Sequence, residues 1–303
     1  MSGILDVFFE NILPIFFVAA IGFVLRRRLG LDKQALSKLT FYALSPALVF
    51  TSLVNSQLRS DEMLQLVAFA VVVTLSIGAI AFVVSRLLRL TRVDTIALLL
   101  VVMFVNGGNY GLTLNRLRYG EDGLARAVVY YVVSTILVFT IGVFIASMGK
   151  ANWRTSLTRL IRLPAFYAVI FAVVIYATGI ELPQPLLRGV EVAGAGAIPV
   201  MLIVLGMQIA DLQDLGRVWL AAPAAALRLM VAPVIAVIVA GWFALEGLNR
   251  STGIIEASMP TAVVVTILAV EFDVRPSLVT STVVLSTILS AFTLPVVITL
   301  LAL

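Results

Sequence analysis

The sequence has no cysteine and no histidine in 303 residues, three lysines, and only 12% charged side chains. Each shortage excludes a kind of chemistry. Without cysteine there is no disulfide framework, no thiolate nucleophile and no thiolate metal site. Without histidine there is no imidazole base, no imidazole-bound metal, and no side chain that titrates unperturbed between about pH 5 and 8. Glycine, at 20 residues, and proline, at 11, are too sparse for a collagen-like or low-complexity chain. What the chain has instead is apolar surface. Hydrophobic residues make up 61% and mean hydropathy is +1.12, where soluble domains are about 45–50% apolar and about 25% charged. An integral membrane protein is implied. A net charge of +5 on such a chain reports orientation, not nucleic-acid binding.

A helical span takes about 20 apolar residues, so ten spans use about 200 and leave about 100 for connections. No soluble domain fits beside them. Apolar runs broken by charges and turn residues place the spans at 4–25, 34–54, 63–85, 93–117, 123–148, 163–180, 185–210, 217–245, 250–271 and 276–302. Asp6 and Glu10 stand where a signal peptide carries basic residues, so the first run is expected to stay as a helix. With the amino terminus outside, the inner connections hold fourteen basic residues, among them Arg26, Arg27, Arg28, Lys33, Lys38, Arg217 and Arg275. The outer ones hold six: Arg59, Arg116, Arg118, Arg126, Arg188 and Arg250. The positive-inside rule then puts both termini on the outer side of a cytoplasmic membrane. The three arginines Arg116, Arg118 and Arg126 read most simply as interface anchors. The basic stretch 149–162, with Trp153, reads as a surface connector on the inner side.

The chain repeats itself at one offset. Leu13-Pro14-Ile15-Phe16 has its counterpart 150 residues on, in Leu163-Pro164-Ala165-Phe166. Pro46 matches Pro199, 153 on, and Ser134-Thr135-Ile136-Leu137 recurs letter for letter as Ser286-Thr287-Ile288-Leu289, 152 on. Two repeats follow, 1–148 and 163–303, joined by the connector. Each holds five spans, an odd number, so the second enters the membrane from the opposite side.

In inverted-repeat carriers the site lies near the midplane, where corresponding helices of the two halves are interrupted. The fourth span contains Asn106-Gly107-Gly108-Asn109-Tyr110-Gly111, and the ninth contains Glu256-Ala257-Ser258-Met259-Pro260-Thr261. Glycines disfavour a helix interior by about 1 kcal/mol each and a proline removes a donor. Taken alone, each interruption reads equally well as part of a binding site or as a purely structural feature, a close-packing seam at Asn106–Gly111 and a kink at Pro260. Subtracting the repeat offset from 260 lands inside the Asn106–Gly111 window, and that agreement favours a binding site. Backbone freed at a break must be buried or line a polar cavity, and half-helix ends offer partial charges of about +0.5 and −0.5 to an ion.

Two ionisable residues lie deep. Arg228 is eleven residues past Arg217, about 16 Å into the bilayer, and Glu256 is one turn before Pro260. Each costs about 2.5–3.5 kcal/mol to insert, so each needs a partner. They are expected to pair with one another, or to serve as a counter-charge for an anion (Arg228) and a site for a coupling proton or cation (Glu256). Ser45 and Gln208 are weaker candidates for lining the cavity, since a buried hydroxyl often bonds the carbonyl one turn back.

Phe104 to Leu112 followed by Tyr119-Gly120, together with Met259-Pro260-Thr261-Ala262, Glu271-Phe272, Leu205-Gly206-Met207-Gln208 and Arg228 to Pro233, resemble the motifs of the auxin efflux carrier family. This family includes the plant PIN-FORMED exporters and bacterial carriers of malate and malonate. The likeness runs over essentially the whole chain. It implies an all-α membrane protein of ten helices in two inverted five-helix repeats. Spans 1, 2, 6 and 7 would form a dimerising scaffold, and spans 3–5 and 8–10 an elevator-like transport domain. The site would map onto Asn106, Asn109, Pro260 and Thr261, with Gly107, Gly108 and Gly111 opening the fourth span. Family members often have proline where this chain has Val105 and Thr113, so here glycines do the opening. The long cytoplasmic loop of the plant exporters is missing, so auxin and its regulation do not carry over.

The expected function is a secondary carrier for a small organic anion, a lipid-embedded homodimer without cofactor, metal or nucleic-acid partner. A transporter-like sensor that binds at the same crossing without flux is the alternative. An intramembrane enzyme is disfavoured, because all three lysines lie in connections and no histidine or aspartate pair lies in a span. A channel would differ from a carrier in turnover that does not saturate.

Overall fold

The computed structural model describes residues 3–56, 58–147, 163–180, 182–211 and 218–302. The basic connector 149–162 and Arg217 lie outside the described residues. The described residues form helices joined by short connections, in the order α1 Ile4–Leu29, α2 Lys33–Val54, α3 Ser60–Leu87, α4 Arg92–Met103, α5 Gly107–Ala146, α6 Pro164–Thr178, α7 Gln184–Ala210, α8 Ala221–Trp242, α9 Gly247–Ala257, α10 Val264–Glu271 and α11 Pro276–Leu300. No strand occurs among the described residues, only one isolated antiparallel bridge.

Local chemistry sets the helix ends. α1 finishes with Arg26, Arg27 and Arg28 in its last turn, favourable at the negative end of the dipole, and stops at Gly30 with φ of 61°. Asp32 caps α2 by accepting from the Gln34 N–H at 2.8 Å, and Thr91 caps α4 by accepting from the Asp94 N–H at 3.2 Å. Inside the spans, prolines shape the helices in a regular way. Pro14, Pro46 and Pro233 each follow a wide π turn, Phe8–Ile12, Thr40–Leu44 and Leu227–Val231 respectively. Each turn is centred four residues before its proline, on the carbonyl that loses its donor and meets the pyrrolidine ring. In α7 the helix is interrupted at Gly196 instead, three residues before Pro199.

Seven of these helices are long and apolar enough to cross a membrane: α1, α2, α3, α5, α7, α8 and α11. The difference from ten runs has a physical cause. The fourth and ninth runs are broken into short pieces, α4 with the start of α5 and α9 with α10, and α6 has only 15 residues. The fourth and fifth runs are also joined as α5, which turns at Gly120, where φ is 66° and ψ is −153°. Only glycine adopts that conformation freely.

Packing groups the helices. α1 lies along α7 so closely that a side chain on Gly206 would overlap the Ala19 carbonyl, and one on Gly22 the Ile203 carbonyl. Small residues of this kind let membrane helices approach backbone to backbone. α2 packs against α6 and α7, while α3, α4, α5, α8, α9 and α11 pack among themselves. Where α2 and α7 face α5, Leu48, Val49, Leu112, Leu124, Val128 and Ile198 form a buried apolar cluster.

Candidate functional site

The two interruptions meet. The Asn106 N–H donates to the Pro260 carbonyl at 2.8 Å, and the Ala262 N–H donates to the Phe104 carbonyl at 2.9 Å. Val105 thereby faces Thr261 in an antiparallel bridge. Thr261, fully buried, is held twice more. Its N–H donates to Ser286 Oγ at 3.1 Å, and its hydroxyl donates to the Val101 carbonyl at 2.8 Å. Backbone released from helical pairing is thus paired again inside the protein, as a bilayer requires.

Four half-helix ends converge here, and they sort by polarity. The carboxyl ends of α4 and α9 leave carbonyls without intrahelical donors. Arg228, with no solvent exposure, supplies those donors. Its Nη1 donates to the Val102 carbonyl and its Nε to the Met259 carbonyl, each at 2.9 Å, and its Nη2 donates to the Ala257 carbonyl. A guanidinium at two helix carboxyl ends also complements both dipoles. The sequence suggests pairing with Glu256 or an anion. In the structure the guanidinium instead binds backbone carbonyls of both broken helices and does not line the cavity.

The amino ends of the other two half-helices face that cavity, which has a volume of about 420 Å³. Asn106, Gly108 and Asn109 line it from the start of α5, and Ala262, Val263 and Val264 from the start of α10. The first backbone N–H groups of a helix have no intrahelical acceptor, so both ends present donors and positive partial charge. Ser45, Tyr131, Ser134 and Gln208 are among the other polar residues of the wall, with Phe41, Val138, Phe139, Met201 and Ile267 making much of the rest apolar. Ser45 Oγ and the Tyr131 hydroxyl are 3.2 Å apart. Asn106 Nδ2 and Gln208 Oε1 are buried without a protein hydrogen-bond partner. Of the residues singled out from sequence, Ser45, Asn106, Gly108, Asn109 and Gln208 therefore share one cavity. Gly107, Gly111, Pro260 and Thr261 build the crossing itself.

Glu256 lies behind the first turn of α5. Its Oε1 accepts from Asn115 Nδ2 at 3.0 Å, and no bond joins it to Arg228 among the described residues. A Cβ on Gly107 would stand 2.7 Å from its Oε2, and one on Gly111 would overlap both carboxylate oxygens. The glycines therefore make room for this carboxylate. Asn115 escaped sequence reasoning, although an amide one helical turn past Gly111 was a usable signal. Ser286 entered only as a repeat anchor.

The cavity runs towards Ser37 and Lys38. At the same end, Arg26 Nε and Lys33 Nζ donate to Asp211 Oδ1 and Oδ2 at 2.6 and 2.5 Å, tying α1, α2 and the end of α7 together. Burial pushes the Asp211 carboxyl up, but Lys33 and Arg26 more than offset it and hold it below its ordinary value. A second cavity of about 240 Å³ lies at the other end of the same interface, lined by Thr51, Ala125 and Ala195 among others. On α5 and α7 the nearest residues of the two linings are six apart, at 131 and 125 and at 201 and 195, and on α2 they are three apart, at 45 and 48. Six residues correspond to about 9 Å of helix, and Val128 of α5 and Ile198 of α7, both in the buried apolar cluster, lie between the two levels. The arginines read as interface anchors are engaged too. Arg116 bridges to Glu121 at 2.8 Å, Arg118 donates to Asn11 at 3.3 Å and Arg126 to Asn249 at 2.7 Å.

Apolar helices of spanning length around a buried polar crossing define a multi-pass membrane protein. A family model described as membrane transport protein matches residues 7–155 and 151–298. The chain belongs to this family, the auxin efflux carrier family that its motifs resemble. It is similar to an uncharacterized transporter from Methanothermobacter thermautotrophicus, 29% identical over 294 residues, which covers 94% of this chain and 96% of the relative. It is also similar to one from Methanocaldococcus jannaschii, 22% identical over 265 residues, covering 85% and 86%. A transporter rather than an enzyme is indicated.

Proposed function

We propose that the protein is a secondary carrier that moves a small organic anion across the cytoplasmic membrane by alternating access. The observation that carries this reading is the polarity of the crossing. Both half-helix amino ends and the unpartnered Asn106 amide border the cavity, while both carboxyl ends are covered by Arg228. Such a site favours a carboxylate with a modest apolar body, which the phenylalanine and valine wall accommodates. Arg228 contributes by fixing the crossing.

Ten crossings in two inverted repeats, with both termini outside, accord with the shared offset and with a family model that matches in two stretches dividing near residue 150. The basic end of the cavity, at Lys38, is then the cytoplasmic end, and the conformation described is open inward. The paired cavities on α2, α5 and α7 support an elevator motion. In it α3–α5 and α8–α11 slide past α1, α2, α6 and α7, carrying the crossing from one cavity level to the other. The scaffold helices would also form the homodimer contact.

The test is a thermal-shift panel on the purified protein with monocarboxylates, dicarboxylates and neutral isosteres. Stabilisation by one carboxylate class and not by its amide analogue supports an anion site. Stabilisation by cationic or neutral compounds alone would contradict it.

A further inference from the structure

Glu256 is fully buried, yet as a carboxylate it has one donor, the Asn115 amide. Its Oε2 has no hydrogen-bond partner, and neither has Oδ1 of that same Asn115. The other Asn115 bond is fixed, since Nδ2 also donates to the Gly111 carbonyl at 3.0 Å. Two neighbouring residues therefore each carry an acceptor without a donor, deep in a bilayer where unpaired polar atoms are costly. One hydrogen atom resolves both. A proton on Oε2 would turn that oxygen into a donor, and Asn115 Oδ1, on the residue already bonded to the same carboxyl, is an acceptor in need of one.

We propose that Glu256 and Asn115 form a proton-binding site, occupied in this conformation, and that its proton is linked to anion binding. The link is the first turn of α5. Gly107 and Gly111 face the carboxyl, while Gly108 and Asn109 face the cavity. An ionised Glu256 and a bound anion would draw on the same positive helix end from opposite sides and repel one another. Protonation therefore favours the anion, and by reciprocity the anion favours the proton. The coupling half of this inference rests on the anion-carrier reading; the protonation half does not.

The charged and titratable surroundings are few. From α8 comes Arg228, committed to the carbonyls of Val102, Ala257 and Met259. From α5 comes Tyr130, within electrostatic reach of both Arg228 and Glu256. Tyr110, on the Gly107–Gly111 turn, packs edge-on against Phe16 with ring centres 6.1 Å apart. α11 has no ionisable residue, and those of α3, Asp61, Glu62 and Arg86, lie at its ends. Arg126 meets Asn249 at the start of α9. A monovalent cation between Oε2 and Oδ1 would need several more oxygen ligands, which the proton does not.

Infrared spectroscopy of the full-length protein tests this without a substrate. At about pH 7, where ordinary carboxyls are ionised, the wild type should show one protonated-acid carbonyl band that shifts in heavy water. Glu256→Gln should lack it, and Asn115→Leu should move it to higher wavenumber as the acid loses its partner. If Glu256→Gln does not fold, the band in wild type and its displacement in Asn115→Leu still decide. Absence of an acid band in wild type, or carboxylate bands that respond to added sodium, overturns the proposal. If the panel has found a carboxylate ligand, its affinity should fall on the order of tenfold as Glu256 ionises and be independent of pH in Glu256→Gln. A pH dependence that survives in the variant overturns the coupling while leaving the carrier reading intact.

Discussion

The backbone N–H of Asn106 donates to the carbonyl of Pro260 at 2.8 Å. Each residue lies three positions past the last residue of its half-helix, Met103 and Ala257, and the contact pairs the two interruptions. Around this rung, Arg228 takes up the negative helix ends and the cavity meets the positive ones. The crossing thereby turns only its positive helix ends towards the cavity.

Arg228 should be indispensable to folding more than to recognition. Arg228→Met leaves the carbonyls of Val102, Ala257 and Met259 without their donor, at about 1–3 kcal/mol for each buried group. A lowered Tm and a poor yield of monodisperse protein are expected. Arg228→Lys should not restore stability, because an ammonium lacks the planar fork that reaches three acceptors. Wild-type melting of the lysine variant would contradict the capping role.

Gly111→Ala places a methyl group against both Glu256 carboxylate oxygens. The substitution should destabilise the protein strongly, while the double variant Gly111→Ala with Glu256→Ala should recover part of the loss. A coupling of about 0.5–3 kcal/mol is expected from melting or denaturant titration of the four proteins. Strict additivity would show that the carboxylate does not occupy the glycine notch.

Much of this arrangement was legible in the sequence, and the reasons are physical. A bilayer punishes unpaired amides and charge, and clustered glycines or a proline disfavour a continuous helix, so Asn106–Gly111, Pro260, Arg228 and Glu256 stood out against an apolar background. What sequence could not supply was direction. Arg228 and Glu256 lie on neighbouring spans and looked like an ion pair. Which way each points depends on the π turn Leu227–Val231 and on the helix ends they meet. Asn115 offers an amide one turn past Gly111, but the partner that gives it importance, Glu256, lies 141 residues away. The number of spans is likewise obscured, because the breaks that make the site also divide its helices into pieces shorter than a bilayer.

Asp211 predicts an acid sensitivity. Its carboxyl is held below the ordinary value by Lys33 and Arg26, despite its partial burial. The stability this confers is full above the unfolded value of about 4 and is lost as pH falls through the lower, folded value. Wild-type Tm should therefore drop more steeply below about pH 4 than that of Asp211→Asn, with the two curves parallel above it. Parallel curves throughout would mean that the α1–α2–α7 tie contributes nothing.

The central claim is that an anion bound at the crossing is carried across the membrane. Counterflow in proteoliposomes, with the carboxylate that best stabilises the purified protein, addresses it directly. The wild type should accumulate label with saturable kinetics. Asn106→Ala, correctly folded and inserted, should bind that anion at least about tenfold more weakly, given about 1–3 kcal/mol for a buried donor. No counterflow with a ligand that binds, or an unchanged affinity in Asn106→Ala, would contradict the account.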